Sequence, residues 1–600
     1  MTNNNQKNLE YALTDPLLVD YDVLSLQKLA KTLSKTTQQP TPEKRITKVA
    51  VCGGFMTKFL LEILPLFFLH RGLHTTFYES EYGTFHQDIL NENSRLADFC
   101  PDLVLLVPTH RDLRFPPTQN ISQAKFDENL KQEVEYWNNL IKKINSPVIF
   151  FTFDPPPIRP LAESDGLKRG GFLNYVRAVN CRLCNESSGN IHFIDTERLS
   201  AAVGLDYWHD QRLFHLAKQP ISMDALPLTA NSIAALASAL MGTARKVLVL
   251  DLDNTLWGGV LGDEGLEGIA IGPETAEGEA FATFQKYVKN LNERGIILAV
   301  CSKNDKTIAL KPFKEHSGMV LEEDDFAVFI ANYRDKASNL RDIASRLNVG
   351  LDSIVFADDS KVECELVKKE IPEIWTLELL GDPSDFPALI DHFLPFPVGN
   401  LTKEDFTRNN TYKDLVKINN QLETTTNLDA FLSDLQSDAI IENIRDDTIT
   451  RITQLLAKTN QFKLNPTLYS KDELKRTALD VIAIRLKDRL QDYGIISVVV
   501  FETDSLHNVL NICNWVMSCR VFSRRIEFLV MEQLTNIAIK RGLNEIQLQY
   551  IPSDKNSLLA DLLPELGFRR KGEQDYFVSK LAEPASLPKH FIKLRNNFHG

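Results

Sequence analysis

Apolar residues recur along this chain in two rhythms. Short, nearly continuous apolar runs, as in ITKVAVCGG, HTTFYES, PDLVLLVPT and SPVIFFTFDPPP, alternate with longer segments of helical period such as Phe59–Arg71. Runs of this kind, bounded by Gly, Pro and Asp, predict strands buried on both faces, and their alternation with helices predicts a parallel α/β sheet. The unit closes in an Ala-rich helix near residues 231–242. The rhythm restarts at RKVLVLDLDNT, continues through a helix over Thr275–Arg294, the strand GIILAVCSKND, a helix opening near Lys336 and the strand SIVFADD. After FPVGNLTKEDF the character changes: polar helical sequence leads to QFKLNP, the strand GIISVVVFET, a helix around Ile526–Gly542 and the strand NEIQLQYIP. These breaks place a helical extension at 1–45, an α/β domain at 46–242, a second at 243–398, an α+β domain at 399–585 and a tail at 586–600.

Composition narrows the class. With 43% hydrophobic and 24% charged residues in 600, the chain reads as an ordinary folded protein, not a disordered or fibrous one. The formal charge is −13, yet residues 1–250 sum to 0 and residues 401–600 to +1, so residues 251–400 carry −14. An acidic chain is a poor sequence-independent nucleic-acid binder. The most apolar stretch, Phe59–His70, is short and holds Glu62 and Pro65, so no membrane span is expected. The start, MTNNNQKN, has no apolar core of a secretory signal, and eight cysteines are too sparse for a disulfide framework; a reduced cytoplasm is expected. Cys181 and Cys184 form a CxxC that lacks the further ligands of a zinc site and read as ordinary helical thiols.

The chemistry lies in the acidic segment. Val247–Leu250 is followed at once by Asp251, Asp253 and Thr255. Carboxylates at i and i+2, at the carboxyl end of a central strand, stand where open α/β sheets bind ligands and face one crevice. They suit Mg²⁺, with Asp251 attacking a phosphoryl group and Asp253 protonating the leaving oxygen. Ser302 and Asn304 follow the next strand, Lys336 opens a helix, and Asp358 and Asp359 end a further strand. Ser302 offers a hydroxyl and Lys336 a charge to phosphate oxygens, while the two aspartates add metal-binding oxygens. Each residue alone is an ordinary turn, cap or solvated residue. All four elements in order select phosphoryl transfer. The intervals leave room for a glycine-rich flap, Gly258–Gly272, but for no large cap; Trp257 and Leu261 on that flap read as core.

The constellation resembles the haloacid dehalogenase (HAD) superfamily, and VLVLDLDNTLWGGVLGDEGLEGIAIG with CSKND, NYRDK and VFADDSKVE resembles its FkbH-like branch, subfamily IIIC. The resemblance implies Asp251 as the nucleophile of an aspartyl-phosphate, Asp253 as general acid/base, Ser302 and Lys336 on the phosphate, and Mg²⁺ on Asp251, the carbonyl of Asp253, and Asp358, with Thr255, Asn304 and Asp359 in support. The family's usual Asp-Asp-Asn-Pro reads Asp358-Asp359-Ser360-Lys361 here.

Residues 46–240 resemble the SGNH-hydrolase-like domain of longer FkbH-like proteins, implying a flavodoxin-like three-layer sandwich. The turn Gly53-Gly54-Phe55-Met56-Thr57 has no serine, so Asp206/His209 and Asp210/His215 make no triad and a non-hydrolytic role is expected. Residues 400–580 resemble a GNAT-type acyltransferase extension through QLLAKTNQFKLNP, VMSCRVFSRRIE, IPSDKN and ELGF. Where an Arg-x-x-Gly-x-Gly turn would take a pyrophosphate, both glycines are absent, which speaks against acetyl transfer. Arg520, Arg524, Arg525 and Lys555 are candidates for an anionic phosphopantetheine arm or an acidic carrier. The family implies a glyceryl transferase/phosphatase that takes 1,3-bisphosphoglycerate and loads an acyl carrier protein in polyketide or related biosynthesis. Cys301 and Cys519 are the candidate acyl thiols. A plain phosphatase and a non-enzymatic scaffold are the alternatives.

Overall fold

The computed structural model describes residues 2–36, 46–187, 190–399, 403–424, 428–442, 444–445, 447–459, 461–469, 471–475, 479–489, 491–522, 524–553, 555–571, 575–582 and 587–596. The polar stretch 37–45, expected to close the N-terminal extension, lies outside them. The chain divides into two compact units, Met1–Ala239 and Leu240–Gly600. Among the described residues no helix is long and apolar enough to cross a membrane.

The first unit is built on five parallel strands, β1 (Ile46–Gly53), β2 (His74–Glu79), β3 (Leu103–Val107), β4 (Val148–Phe151) and β5 (Ile191–Ile194), in the order β2-β1-β3-β4-β5. That is the flavodoxin-like order. β3 and β4 are wholly buried, as all-apolar runs require. Trp137, Phe150, Phe153 and Tyr175 fill the core on one side of the sheet. The N-terminal extension joins this body: Leu9, Ala12 and Leu26 are buried, Gln27 donates to Glu62 at 2.7 Å, and His70 Nδ1 lies 2.8 Å from the Leu13 carbonyl. Cys181 and Cys184 are free, exposed thiols on the helix Phe172–Glu186.

The second unit holds two sheets. One is parallel throughout: β6 (Val247–Leu250), β7 (Ile297–Ser302), β8 (Phe326–Ala331), β9 (Ile354–Asp358) and β10 (Trp375–Glu378), ordered β10-β9-β6-β7-β8. With β6 central and every strand running the same way, the residues after β6, β7 and β9 meet along one edge.

The other sheet is mixed: β11 (Asp438–Glu442), β12 (Phe462–Lys463), β13 (Asp480–Lys487), β14 (Asp492–Asp504), β15 (Val509–Met517), β16 (Glu545–Gln549), β17 (Arg569–Arg570), β18 (Tyr576–Lys580) and β19 (Lys593–Asn596). β15 runs parallel to β16 over Val509–Ile512, then takes β12 as an antiparallel partner at Val516 and Met517. Two neighbours thus share one flank of β15 along its length. The helix Ile526–Lys540 covers the sheet and buries Ile526, Leu529 and Leu534 in its core.

Two boundaries differ from the sequence reading. The helix Arg408–Thr424 was placed in the third domain, but it buries Tyr412, Leu415 and Val416 in the core of the parallel sheet. Asn409 Nδ2 donates to the Asp325 carbonyl at 3.0 Å. The segment expected to be a tail contributes β19, which pairs in parallel with β11 from Asp438↔Lys593 to Ile441↔Asn596.

Candidate active site

The carboxyl edge of the parallel sheet gathers the predicted residues. Asp251 follows β6, and its backbone N–H donates to the Ala357 carbonyl at 3.1 Å, which fixes it beside β9. Asp358, the last residue of β9, is fully buried. Lys336 is the first residue of the helix Lys336–Leu347, which Asp335 caps by accepting from Ser338 N at 2.7 Å. Its ammonium lies 2.9 Å from Asp251 Oδ2 and 2.5 Å from Asp358 Oδ2, and the residue is only 3% exposed. Ser302 ends β7 and is buried at the same edge.

Oxygens of Asp251, Asp358 and Asp359 lie within 4.8 Å of one another. One lysine cannot neutralise three carboxylates. Burial, then the Asp251 charge, pushes the Asp358 carboxyl up to about 6, and the same two causes raise Asp359. Burial pulls the Lys336 ammonium down, but Asp251 and Asp358 outweigh it and hold its pKa above the ordinary lysine value. Asp251 Oδ1 is buried and accepts no hydrogen bond among the described residues. An all-oxygen cluster with surplus negative charge and an unused buried oxygen fits a hard divalent cation such as Mg²⁺. Asp359, expected only in support, stands in the cluster itself, whereas the Asp253 side chain does not.

Asp253 has a different environment. Its Oδ1 accepts from Trp257 Nε1 at 2.9 Å and from the Leu261 N–H at 3.1 Å, and its Oδ2 faces Asn304 Nδ2 at 3.3 Å. Burial raises its pKa against those donors. Asn254 turns the chain here with φ +51°, a left-handed conformation that Asn tolerates, and its Oδ1 accepts from Gly259 N at 2.9 Å. Gly258 and Ala270 exchange backbone hydrogen bonds of 3.0 and 2.9 Å and close the flap. Gln285, buried in the helix Ala276–Glu293, donates to the Leu256 carbonyl at 2.8 Å and anchors the flap's start. Trp257 and Leu261 are buried, as expected, and both also donate to Asp253, a role signalled in the sequence only by their i+4 and i+8 spacing. Thr255 is fully buried with an unpartnered hydroxyl.

The candidate thiols are not part of this site. Cys301 alternates away from Ser302 into the core, with Sγ 3.9 Å from the Lys336 carbonyl, and burial pushes its pKa far up. Cys519 lies 3.3 Å from the Tyr412 hydroxyl, among residues near the opposite, amino end of the sheet.

The basic stretch is likewise different from the surface it suggested. Arg524 is 3% exposed, ion-paired to the buried Asp488, donates to the Tyr493 hydroxyl at 2.6 Å and stacks over its ring. It cannot contact a carrier. Arg525 donates to the Lys589 carbonyl at 2.7 Å and pairs with Asp429 at 2.9 Å. Arg520 is buried beside Ser518, and Lys555 pairs with Asp352.

In the first unit, Gly54 packs so closely on Asp112 that a side chain there would collide with the carboxylate. The turn's hydroxyl, Thr57 Oγ1, donates to Glu79 at 2.6 Å. His209 does not pair with Asp206: its Nε2 lies 2.8 Å from the Pro155 carbonyl and 3.7 Å from Asp154, which also holds His110 Nδ1 at 2.9 Å. Asp210 caps the helix Gln211–Ala217. No hydroxyl–histidine pair of a hydrolase forms among these residues.

Residues 48–237 match the family model described as FkbH, N-terminal domain. The crystal structure of the N-terminal part of a Bacteroides fragilis protein, containing a phosphatase domain and complexed with Mg, is similar over 64% of this chain and 100% of its own, at 29% identity and a TM-score of 0.56. The Escherichia coli ribosomal-protein-S18-alanine N-acetyltransferase aligns over 25% of this chain and 99% of its own, at 10% identity and a TM-score of 0.19. Spermidine/spermine N-acetyltransferase SpeG from Vibrio cholerae aligns over 25% and 95%, at 14% and 0.19. No curated protein matches the sequence. The FkbH domain and the Mg-bound phosphatase-domain neighbour support a HAD-like phosphatase.

Proposed function

We propose that this chain is a Mg²⁺-dependent HAD-type phosphatase and glyceryl transferase that draws on 1,3-bisphosphoglycerate and loads the glyceryl unit on an acyl carrier protein. The observation that carries the phosphatase part is the buried Asp251–Lys336–Asp358 cluster with Asp359 beside it. The glyceryl and carrier parts rest on the resemblance of the motifs to FkbH-like proteins.

Asp251, Asp358 and Asp359 would hold the cation, which, when bound, offsets charge on the phosphoryl oxygens. Lys336 holds Asp251 in place through their 2.9 Å ion pair. Asp251 attacks phosphorus: a P–O bond to its carboxylate forms and the ester P–O bond breaks. Asp253 gives its proton to the leaving alkoxide. Its Oδ1 accepts from two N–H donors and its Oδ2 faces only the longer Asn304 contact, so Oδ2 is the oxygen that would carry the proton. Asp253 then takes a proton from water, which attacks the aspartyl-phosphate, releases phosphate and restores Asp251. At the other end of the substrate, the carrier's thiol attacks the acyl phosphate; a C–S bond forms and phosphate leaves.

The test incubates the protein with Mg²⁺, 1,3-bisphosphoglycerate and a phosphopantetheinylated carrier, and weighs the carrier intact. Mass gain by one glyceryl unit is expected; with Asp251→Asn the ester phosphate stays on and the carrier gains a phosphoglyceryl unit instead. Phosphate release without mass gain on any cognate carrier leaves a plain phosphatase and overturns the transfer.

A further inference from the structure

Lys246 stands immediately before β6, its backbone N–H bonded to the Ser353 carbonyl at 2.8 Å, so it lies at the opposite pole of the parallel sheet from Asp251. There an open cavity of about 1240 Å³ lies between the two sheets of the second unit. This exceeds what a typical small ligand needs, about 300–1,000 Å³. Lys246, Arg408, Arg451, Lys458 and Arg520 converge on it from four separate segments, Arg451 and Lys458 sharing the helix Ile449–Lys458 and Arg408 also pairing with Asp405. Of the wall's carboxylates, Asp342 pairs with Arg346 and Asp352 with Lys555. Glu373 and Glu527 also line it, and burial raises the Glu527 carboxyl. Lys246 and Lys458 form no ion pair among the described residues.

Ammonium groups held this way cost free energy unless an anion arrives. Burial lowers both lysines, Lys458 to about 8. The nearby Arg408, Arg451 and Lys246 add to its shift, and Asp405 opposes it. A second, independent sign is Gln454, which lines the same cavity with both amide atoms buried and unpartnered. Phe462, Met517, Phe522, Leu558 and Leu562 give the wall an apolar stretch, beside polar groups such as Thr459, Gln461 and Ser557.

We propose that this cavity binds a phosphorylated organic anion, with at least two negative charges against Lys246, Lys458, Arg408 and Gln454 and an extended tail along Phe462, Met517 and Phe522. The site is separate from the Asp251 centre and does not depend on the reading of that centre.

Calorimetric titration of the full-length Asp251→Asn protein in EDTA separates the two sites, because the cavity needs neither the nucleophile nor a divalent cation. Inorganic pyrophosphate probes the charged end, adenosine diphosphate adds a compact aromatic tail and coenzyme A a long amide tail. Binding of all three is expected, coenzyme A tighter than pyrophosphate by about tenfold or more. A preference for adenosine diphosphate over coenzyme A assigns a nucleotide instead of an extended arm and overturns the tail assignment. Lys246→Met and Lys458→Met each weaken pyrophosphate by about tenfold, whereas Lys458→Arg retains it. Above pH 8, binding takes up a proton at Lys458, read from heats in buffers of different ionisation enthalpy, and Lys458→Arg abolishes that uptake. Absence of binding at millimolar probe, or binding untouched by both methionine variants, overturns the proposal.

Discussion

The indole N–H of Trp257 donates to Asp253 Oδ1 at 2.9 Å, tying a residue of the glycine-rich flap to the proposed acid. Trp257→Phe keeps the buried ring and removes the donor. A hydrogen bond to a charged group contributes about 1.5–3 kcal/mol, so hydrolysis of alkyl phosphates falls about tenfold or more. The donor favours the ionised carboxylate, so its loss raises the Asp253 pKa further. The basic limb of the pH–rate profile therefore moves to higher pH. An unmoved limb sinks the assignment of Asp253 as the acid.

Asp251→Asn removes one of the carboxylates crowded around Lys336. Phosphatase activity falls by about a thousandfold or more. Stability without metal holds or rises, because the surplus negative charge is relieved. The rise in melting temperature that Mg²⁺ gives the unaltered protein is lost. Thermal melting with and without Mg²⁺ reads both effects; an undiminished Mg²⁺ response removes Asp251 from the metal site.

Asp358 sets a pH dependence. Its folded-state pKa of about 6 lies above the unfolded value of about 3.9. Between these values the folded chain binds the extra proton, so this group's contribution is fully present below about pH 4 and is lost as pH rises through about 6. Without metal the melting temperature therefore falls across that window, and Mg²⁺ raises it more at about pH 7.5 than at about pH 5, where protons compete. Asp358→Asn flattens both trends; a Mg²⁺ response equal at the two pH values contradicts the cluster.

Arg524→Ala leaves Asp488 buried without its guanidinium. Breaking such a pair costs about 3–5 kcal/mol, visible in urea unfolding of the C-terminal sheet. An exposed arginine in a carrier-docking patch gives instead near-wild-type stability with weakened transfer.

The carboxyl edge of the parallel sheet was legible because each of its residues sits at a strand end or helix start that its own local sequence announces. Asp251, Ser302 and Asp358 follow apolar runs, and a parallel sheet with β6 in its centre brings such ends together. The environment of the basic stretch was not legible. Nothing local to Arg524 reveals Asp488, 36 positions earlier, as its buried partner. Nothing local to Lys246 or Lys458 brings them together; the packing of two sheets places them on one cavity. The i+4 position of Trp257 was readable in principle, but an apolar ring in a flap is most simply core, and here it is core and donor together.

The pairing of Lys593–Asn596 with Asp438–Ile441 bears on solubility. A chain stopped at residue 592 would uncover the backbone N–H and C=O groups of β11 on that side, a row of empty positions that a neighbouring copy can fill. These few residues therefore act as a guard on the sheet's margin: their deletion is expected to appear first as aggregation on concentration, ahead of any loss of phosphate release.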